Sequence, residues 1–242
     1  MPETKFALKF KAVENANNGL PVVIVAAGSS SRMGGADKQF SLLGGIPVLA
    51  RTLRAFENSP FISEITVVTR KEKIADIEKL AQSYSVSKLK NVIEGGSCRA
   101  QSVKNGVELY KNTYEKVLVH DGARPLVSAD TIKNVYTALA QNNSVTCAVK
   151  LKDTIKEINA QNIAVNTPNR NNLVSVQTPQ GVNINIFLNT LSTADITTFT
   201  DDTSVMEYAG IPTLIVEGDY TNIKITTPED LAVAEAFLRK EW

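Results

Sequence analysis

Short, continuous apolar runs recur along the chain, separated by segments with a different hydrophobic period. Val22 to Ala27 is apolar throughout, the pattern of a strand covered on both faces rather than one with a solvated side. Ile65-Thr-Val-Val-Thr69, Val92-Ile93, Lys116-Val-Leu-Val-His120 and Val145 to Val149 read as further strands. Between them, apolar residues fall at helical spacing. Ile46, Leu49, Ala50, Leu53 and Phe56 share one face, as do Ile74, Ile77, Leu80 and Ala81. Ala100, Val103 and Val107 mark a third helix, and Ile132, Val135, Tyr136 and Leu139 a fourth. Strands alternating with helices predict an α/β, Rossmann-like fold: a mostly parallel sheet flanked by helices.

The alternation breaks at about Lys150. Asp153–Ile158 and Ile163–Val165 predict an inserted β-hairpin around the turn Asn159-Ala-Gln-Asn162, within an arm at about 151–172. A lone hairpin has little to bury itself against. The arm must fold back or pack on a partner subunit, so a homodimer formed through it is expected. Beyond it, Asn183–Leu191 and Asp202–Ala209 read as helices, the second stopped by Gly210. Thr213–Val216 and Ile223–Ile225 read as strands. Thr227 fits a helix N-cap, with Pro228 at the first helical position and Asp230 completing a capping box. Residues 1–20 carry Glu3 and Glu14 and no long apolar stretch, which suits a peripheral extension better than a secretory signal. Residues 21–242 are expected to form one domain.

Charge narrows the function classes. Lys and Arg total 26 against 25 Asp and Glu, a formal charge of +1 over 242 residues. That is no footprint for nucleic acid, and no apolar run has the length of a membrane span. There is one histidine, His120, and there are two cysteines, Cys98 and Cys147. Sites needing two His ligands, zinc knuckles and disulfide frameworks are excluded, and a cytoplasmic location fits. Any chemistry must run on carboxylates, Lys, Arg, hydroxyls or backbone amides.

The loop after the first strand is the leading candidate. Ligands in parallel sheets bind beyond the carboxyl ends of the strands, and anions sit at the helix N-termini that follow. The loop from Ala26-Ala27-Gly28 onward lacks the Gly-Lys-Ser/Thr of a P-loop. It also lacks the glycine pattern of a dinucleotide fingerprint, which removes an NAD-dependent oxidoreductase. Arg32 and Lys38 supply cations suited to phosphate. Asp121 ends a strand, where it could hold a ligand or cap a turn. Lys224 lies between Ile223 and Ile225 and should face the other way from them, toward solvent or toward a ligand. Thr154 could serve cross-strand bonding and Arg170 could be a plain surface charge. His120, inside a strand, reads as structural.

Seven blocks then align with one family. They are Pro21–Gly34 with Lys38-Gln39-Phe40, Glu94–Val103, Val119–Pro125, Lys152–Lys156, Gln177–Gln180, Thr200–Ser204 and Asn222–Asp230. In this order they resemble sugar-phosphate nucleotidyltransferases, and more closely the 2-C-methyl-D-erythritol 4-phosphate cytidylyltransferase family. The resemblance implies transfer of a cytidylyl group from CTP to 2-C-methyl-D-erythritol 4-phosphate, with Mg²⁺ and release of pyrophosphate. It implies that Ala26, Ala27, Gly28 and Ser29 line the nucleotide site, and that Gly96 and Ser102 help hold the cytidine. It makes Arg32, Lys38 and Lys224 the catalytic cations, and Asp121 the metal carboxylate beside the nucleotide. Thr154 and Arg170 on the arm would bind the polyol phosphate in the partner's site, with Arg124, Thr178 and Thr200 in the substrate pocket. Two alternatives remain, a ribitol-5-phosphate cytidylyltransferase and a non-catalytic nucleotide-binding module. The second would be expected to lack Arg32, Lys38, Asp121 or Lys224, and all four are present.

Overall fold

The computed structural model describes residues 19–28 and 37–239. The chain enters through β1 (Leu20–Val25) and a small hairpin, β2 (Leu42–Leu43) with β3 (Ile46–Pro47), before α1 (Val48–Glu57). The alternation continues with β4 (Ile62–Thr69), α2 (Ile74–Ser83), β5 (Leu89–Glu94), α3 (Arg99–Glu108), β6 (Lys116–Asp121), α4 (Ala129–Leu139) and β7 (Ser144–Lys150). The arm carries β8 (Glu157–Ile158) and β9 (Ala164–Asn166), and β10 (Val174–Asn183) returns from it. α5 (Ile184–Thr193), α6 (Asp202–Tyr208), β11 (Leu214–Glu217) and α7 (Pro228–Arg239) follow.

Seven strands form one sheet in the order β11-β7-β10-β6-β1-β4-β5. β1 pairs in parallel with β4 and β6, β4 with β5, and β7 with β11. The apolar run of β1 is explained by its two covered faces. Val22 and Ile24 pack with Leu49, Leu53 and Phe56 of α1 on one side. Val23 packs with Val103 and Val107 of α3 and Phe187 of α5 on the other.

Two segments depart from the sequence expectation. β10 lies in the middle of the sheet, antiparallel to both β6 and β7, although its sequence Val-Ser-Val-Gln-Thr-Pro-Gln-Gly-Val-Asn has no strand-like apolar run. Its polar side chains from Gln177 onward are buried and bonded: the Gln180 amide donates to Thr146 Oγ1 and Asp201 Oδ2, while its oxygen accepts from the N–H of Asp202. The ladder with β7 breaks between Val176 and Gln180, which accommodates Pro179 at an irregularity rather than in a regular run. Gly181 lets α4 approach, since a Cβ there would lie 2.5 Å from Leu139 Cδ2. The second departure is Ile223–Ile225, which forms no ladder. β6 is already flanked by β1 and β10, so the segment crosses beyond its end with the single bond Ile225 N–H to Ala123 O at 2.8 Å.

The arm hairpin is shorter than its sequence pattern and closes through Asn159 N–H to Ile163 O at 3.0 Å. At the other end, helix α7 starts at Pro228. The Asp230 carboxylate accepts from the N–H groups of Thr226 and Thr227 at 2.8 and 2.9 Å, the reciprocal bond of a capping box. Among the described residues no helix is long and apolar enough to cross a membrane.

Candidate functional site: a carboxylate ringed by cations

The carboxyl ends of β1 and β6 lie side by side, Val25 opposite Asp121, so Ala26, Ala27 and Gly28 leave the sheet beside that carboxylate. The next parallel strands bring in a second loop. Gly95 donates its N–H to Thr69 O at 2.7 Å. A Cβ on Gly95 would sit 2.8 Å from both Ala27 Cβ and Ser102 Oγ. Ser102 Oγ accepts from Gly96 N–H at 3.0 Å and donates to Cys98 O at 2.9 Å. Ala27, Gly95, Gly96 and Ser102 thus form one tight corner between two loops. Gly95→Ala is expected to force these loops apart. Overpacking of this kind costs about 1–3 kcal/mol; borne by the nucleotide site, it should lower CTP affinity measured by calorimetry by about 5–150-fold. An unchanged affinity would remove this corner from the nucleotide site.

Asp121 is buried, with its carboxylate facing a cleft of about 420 Å³. Lys224 Nζ lies 3.1 Å and Arg124 Nε 3.3 Å from Oδ2, and Arg99 Nη2 lies 3.6 Å from Oδ1. Burial alone would raise the pKa of Asp121. Lys224, Arg99 and Arg124 together outweigh burial and hold it well below the usual carboxylate range. Arg124 is fixed by donating to Asn222 O at 2.8 Å. Arg99 makes a two-pronged contact with Asp202, both bonds 2.8 Å. Burial pulls its pKa down, but the Asp202 and Asp121 carboxylates raise it above the ordinary value.

Behind Asp121 stands a buried relay. His120 Nε2 meets Arg124 O at 3.2 Å. A carbonyl only accepts, so this nitrogen carries the proton and Nδ1 is the acceptor. Thr178 Oγ1 therefore donates to His120 Nδ1 at 2.9 Å and accepts from the backbone N–H of Asp121 at 3.1 Å. The imidazole packs on Phe56, ring centroids 4.7 Å apart, and burial pushes its pKa down to about 4. His120 is a neutral strut that orients Thr178 and the end of β6.

The structure gathers Asp121, Arg124, Thr178, Thr200 and Lys224 around the cleft. Thr178 has its hydroxyl committed to the relay. Lys38 is part-buried, in a turn where Asp37 accepts from Gln39 N–H at 3.1 Å and from Arg70 at 2.7 Å. Ser29 and Arg32 lie outside the described residues. Thr154 and Arg170 are exposed on the arm, away from the cleft of their own chain, with Arg170 donating to Lys152 O at 2.7 Å. Sequence reasoning assigned no role to Arg99 or Asp202. Both fall inside blocks that carried the family resemblance, and neither type nor spacing marked them out.

Among the described residues, no group of three or more His, Cys, Asp or Glu side chains could hold a metal. Asp201 is spent capping α6, and Asp202 is spent on Arg99. A single carboxylate whose two oxygens are already met by three cations does not fit a resident Mg²⁺, so a divalent cation would have to arrive with the phosphates of the nucleotide.

Among the described residues no histidine or cysteine lines this cleft. Cations around one carboxylate at the strand ends suit transfer between phosphates, where positioning and charge dominate, and define the chain as a nucleotidyltransferase. The comparisons agree. The family model for 2-C-methyl-D-erythritol 4-phosphate cytidylyltransferase (IspD) matches residues 20–240. The protein of that name from Bacillus cereus is 42% identical over 221 residues, covering 90% of this chain and 97% of its own. Its counterpart from Dehalococcoides mccartyi is 42% identical over 224 residues, covering 93% and 98%. The crystal structure of 4-diphosphocytidyl-2C-methyl-D-erythritol synthase from Anaerococcus prevotii superposes with a TM-score of 0.81 at 31% identity, covering 93% of this chain and 97% of that one. The chain belongs to the 2-C-methyl-D-erythritol 4-phosphate cytidylyltransferase family.

Proposed function

We propose that this chain transfers the cytidylyl group of CTP to 2-C-methyl-D-erythritol 4-phosphate, giving 4-diphosphocytidyl-2-C-methyl-D-erythritol and pyrophosphate. The observation that carries this reading is the ring of Lys224, Arg124 and Arg99 around Asp121. A phosphate oxygen of the polyol phosphate attacks the α-phosphorus of CTP. A new P–O bond forms, the bond from the α-phosphorus to the bridging oxygen breaks, and its electrons leave with pyrophosphate. The nucleophile is a phosphate monoester with a second pKa of about 6. It is already ionised near neutral pH and needs no general base. The barrier lies in joining two polyanions, and fixed cations lower it. Lys224 and Arg124 bind and orient phosphate at the cleft, with Lys38 and Arg32 acting from the first loop. Ala26, Ala27, Gly28, Ser29, Gly96 and Ser102 hold the nucleotide. Mg²⁺ would come with CTP and supply charge neutralisation on its phosphates, while Asp121 holds Lys224, Arg124 and Arg99 at the cleft.

The direct test offers CTP with 2-C-methyl-D-erythritol 4-phosphate or ribitol 5-phosphate and follows pyrophosphate. Turnover with the first substrate is expected. Turnover with ribitol 5-phosphate alone would replace this reading, and CTP binding without pyrophosphate from either would make the chain a binding module.

The same reading makes the chain a cytoplasmic homodimer. Both cysteines are free, as in a reducing compartment. The arm exposes Ile158, Ile163 and Val165 at 58%, 60% and 61%, apolar surface suited to a second copy. Thr154 and Arg170 would then bind the polyol phosphate in the neighbouring subunit's cleft. Arg170→Ala and Asp121→Ala should each be poorly active alone, and mixing them should restore activity through hybrid dimers. A monomeric mass by light scattering, or no recovery on mixing and re-equilibration, would remove the shared site.

A further inference from the structure

Lys224 and Arg124 are two of the three cations at Asp121, yet no strand carries either of them. Lys224 lies on the segment that joins no ladder. Downstream of it, Ile225 is sunk in an apolar cluster with Leu43, Val48, Ala123 and Ala234. Upstream, the anchor is a pair of side-chain amides. Gln177 on β10 grips the main chain of Asp219, donating to its carbonyl at 2.8 Å and accepting from its N–H at 3.3 Å. Asn222 returns the contact, donating through Nδ2 to Thr178 O at 2.8 Å and to Gln177 Oε1 at 3.4 Å. Gly218 leaves room for this clasp, since a Cβ there would lie 2.5 Å from Gln177 Oε1. The clasp closes just before Lys224, and the main-chain oxygen of Asn222 is the acceptor for Arg124 Nη1. Asn222 is fully buried and does not line the cleft. Its Oδ1 has no partner among the described residues, and a buried acceptor left unpaired costs stability. What the side chain contributes therefore comes through its nitrogen.

We propose that Asn222, together with Gln177, is a positioning residue for the reaction: the clasp holds Lys224 and Arg124 where the phosphate groups meet them. This rests on the reading that Lys224 and Arg124 bind phosphate in the cleft. A buried amide that never touches substrate thereby acts on the chemistry through two cations.

The test is a double-variant cycle in the full-length protein, assayed by pyrophosphate release from CTP, Mg²⁺ and 2-C-methyl-D-erythritol 4-phosphate. Asn222→Ala, Lys224→Ala and their combination are compared with the parent for kcat under saturating substrates, KM for each substrate and the thermal midpoint. Asn222→Ala should lower kcat about 10–100-fold, because a misplacement of about 1 Å that starts far from the chemistry can cost about 10²-fold. In the Lys224→Ala background the same change should cost no more than a few-fold, since the main cation it places is gone and only Arg124 is left to shift. Residues that act through one another couple in this way, whereas independent contributions add. A merely structural clasp would lower the thermal midpoint and cost the same factor in kcat in both backgrounds, which would overturn the proposal. If Asn222→Ala fails to fold, Gln177→Met is run through the same cycle and judged by the same rule; it keeps the length of the side chain and loses both bonds to Asp219. A kcat in Lys224→Ala equal to the parent's removes Lys224 from the chemistry, and the proposal falls with it. A parent protein that releases no pyrophosphate overturns the activity and the proposal together. A loss in Lys224→Ala with none in Asn222→Ala overturns the proposal and leaves the activity standing.

Discussion

Lys224→Ala is expected to fold as the parent protein does and to lose about 10²–10³-fold in kcat, the usual effect of removing one electrostatic donor from a developing anion. The fold should tolerate the change because the side chain is 40% exposed and the apolar contacts of its segment are made by its neighbours. Ile225 is buried with Leu43, Val48, Ala123 and Ala234, and Ile223 packs against them. The chemistry should not tolerate it. Lys224 is the cation nearest Asp121 and the largest of the charges holding that carboxylate ionised. Its loss removes a phosphate contact and leaves Asp121 with two cations. Lys224→Arg keeps the charge but spreads it over a planar fork, and should recover only part of the rate. The checks are pyrophosphate release under saturating substrates and far-UV circular dichroism. A kcat within a few-fold of the parent would take Lys224 out of the transition state. Lys38→Ala and Arg32→Ala carry the same expectation.

The second large effect is on stability. In the absence of nucleotide and divalent cation, the folding free energy should fall by up to about 3 kcal/mol as pH drops from 6.5 toward 4. In the native state His120 is buried and neutral, whereas in the unfolded chain it takes a proton near its ordinary value of 6.5. Between these two values the unfolded state binds more protons, so acid favours unfolding. The stability is fully present above about pH 6.5 and is lost as pH falls through the native value. Burial is the main cause. Asp121 nearby favours the charged ring, Arg124 both helps it through its carbonyl and opposes it through its charge, and Lys224 opposes it. Asp121 itself is held below the usual carboxylate range and so does not contribute in this window. Urea unfolding at several pH values should show the slope in the parent protein. It should be flattened in His120→Gln, which keeps an acceptor and a donor but cannot take the proton. Equal slopes in both proteins would mean that the imidazole is solvated in the native state.

The two faces of the sheet were readable because β1, β4 and β6 are apolar on both sides, and alternation with helices leaves few arrangements. β10 was not readable. Gln177, Thr178 and Gln180 are buried by virtue of bonds to Thr146, Asp201, Asn222 and His120, and a hydrophobic pattern cannot register burial achieved by hydrogen bonding. Ile223–Ile225 failed for the opposite reason. It has the composition of a strand, but β6 has no free edge to offer it. At the site, Asp121 and Lys224 were legible from their positions, a strand end and an alternation. Arg99 and Asp202 were not, because their meaning lies in a contact 103 positions apart in the chain.

The late arrival of β10 also bears on how the protein is made. β7 emerges from the ribosome with neither of its neighbours, since β10 and β11 are both still to be synthesised. Until residues 174–183 appear, the β6 edge of the β6-β1-β4-β5 half is bare, the face of β1 that α5 will cover is open, and β7 is a bare strand of its own. Both edges are templates for mispairing with other nascent chains. The same strand, β10, also inserts Thr178 behind Asp121. Joining the two halves of the sheet and bracing the end of β6 are therefore one event, and a chain cut short before it would be sticky as well as inactive.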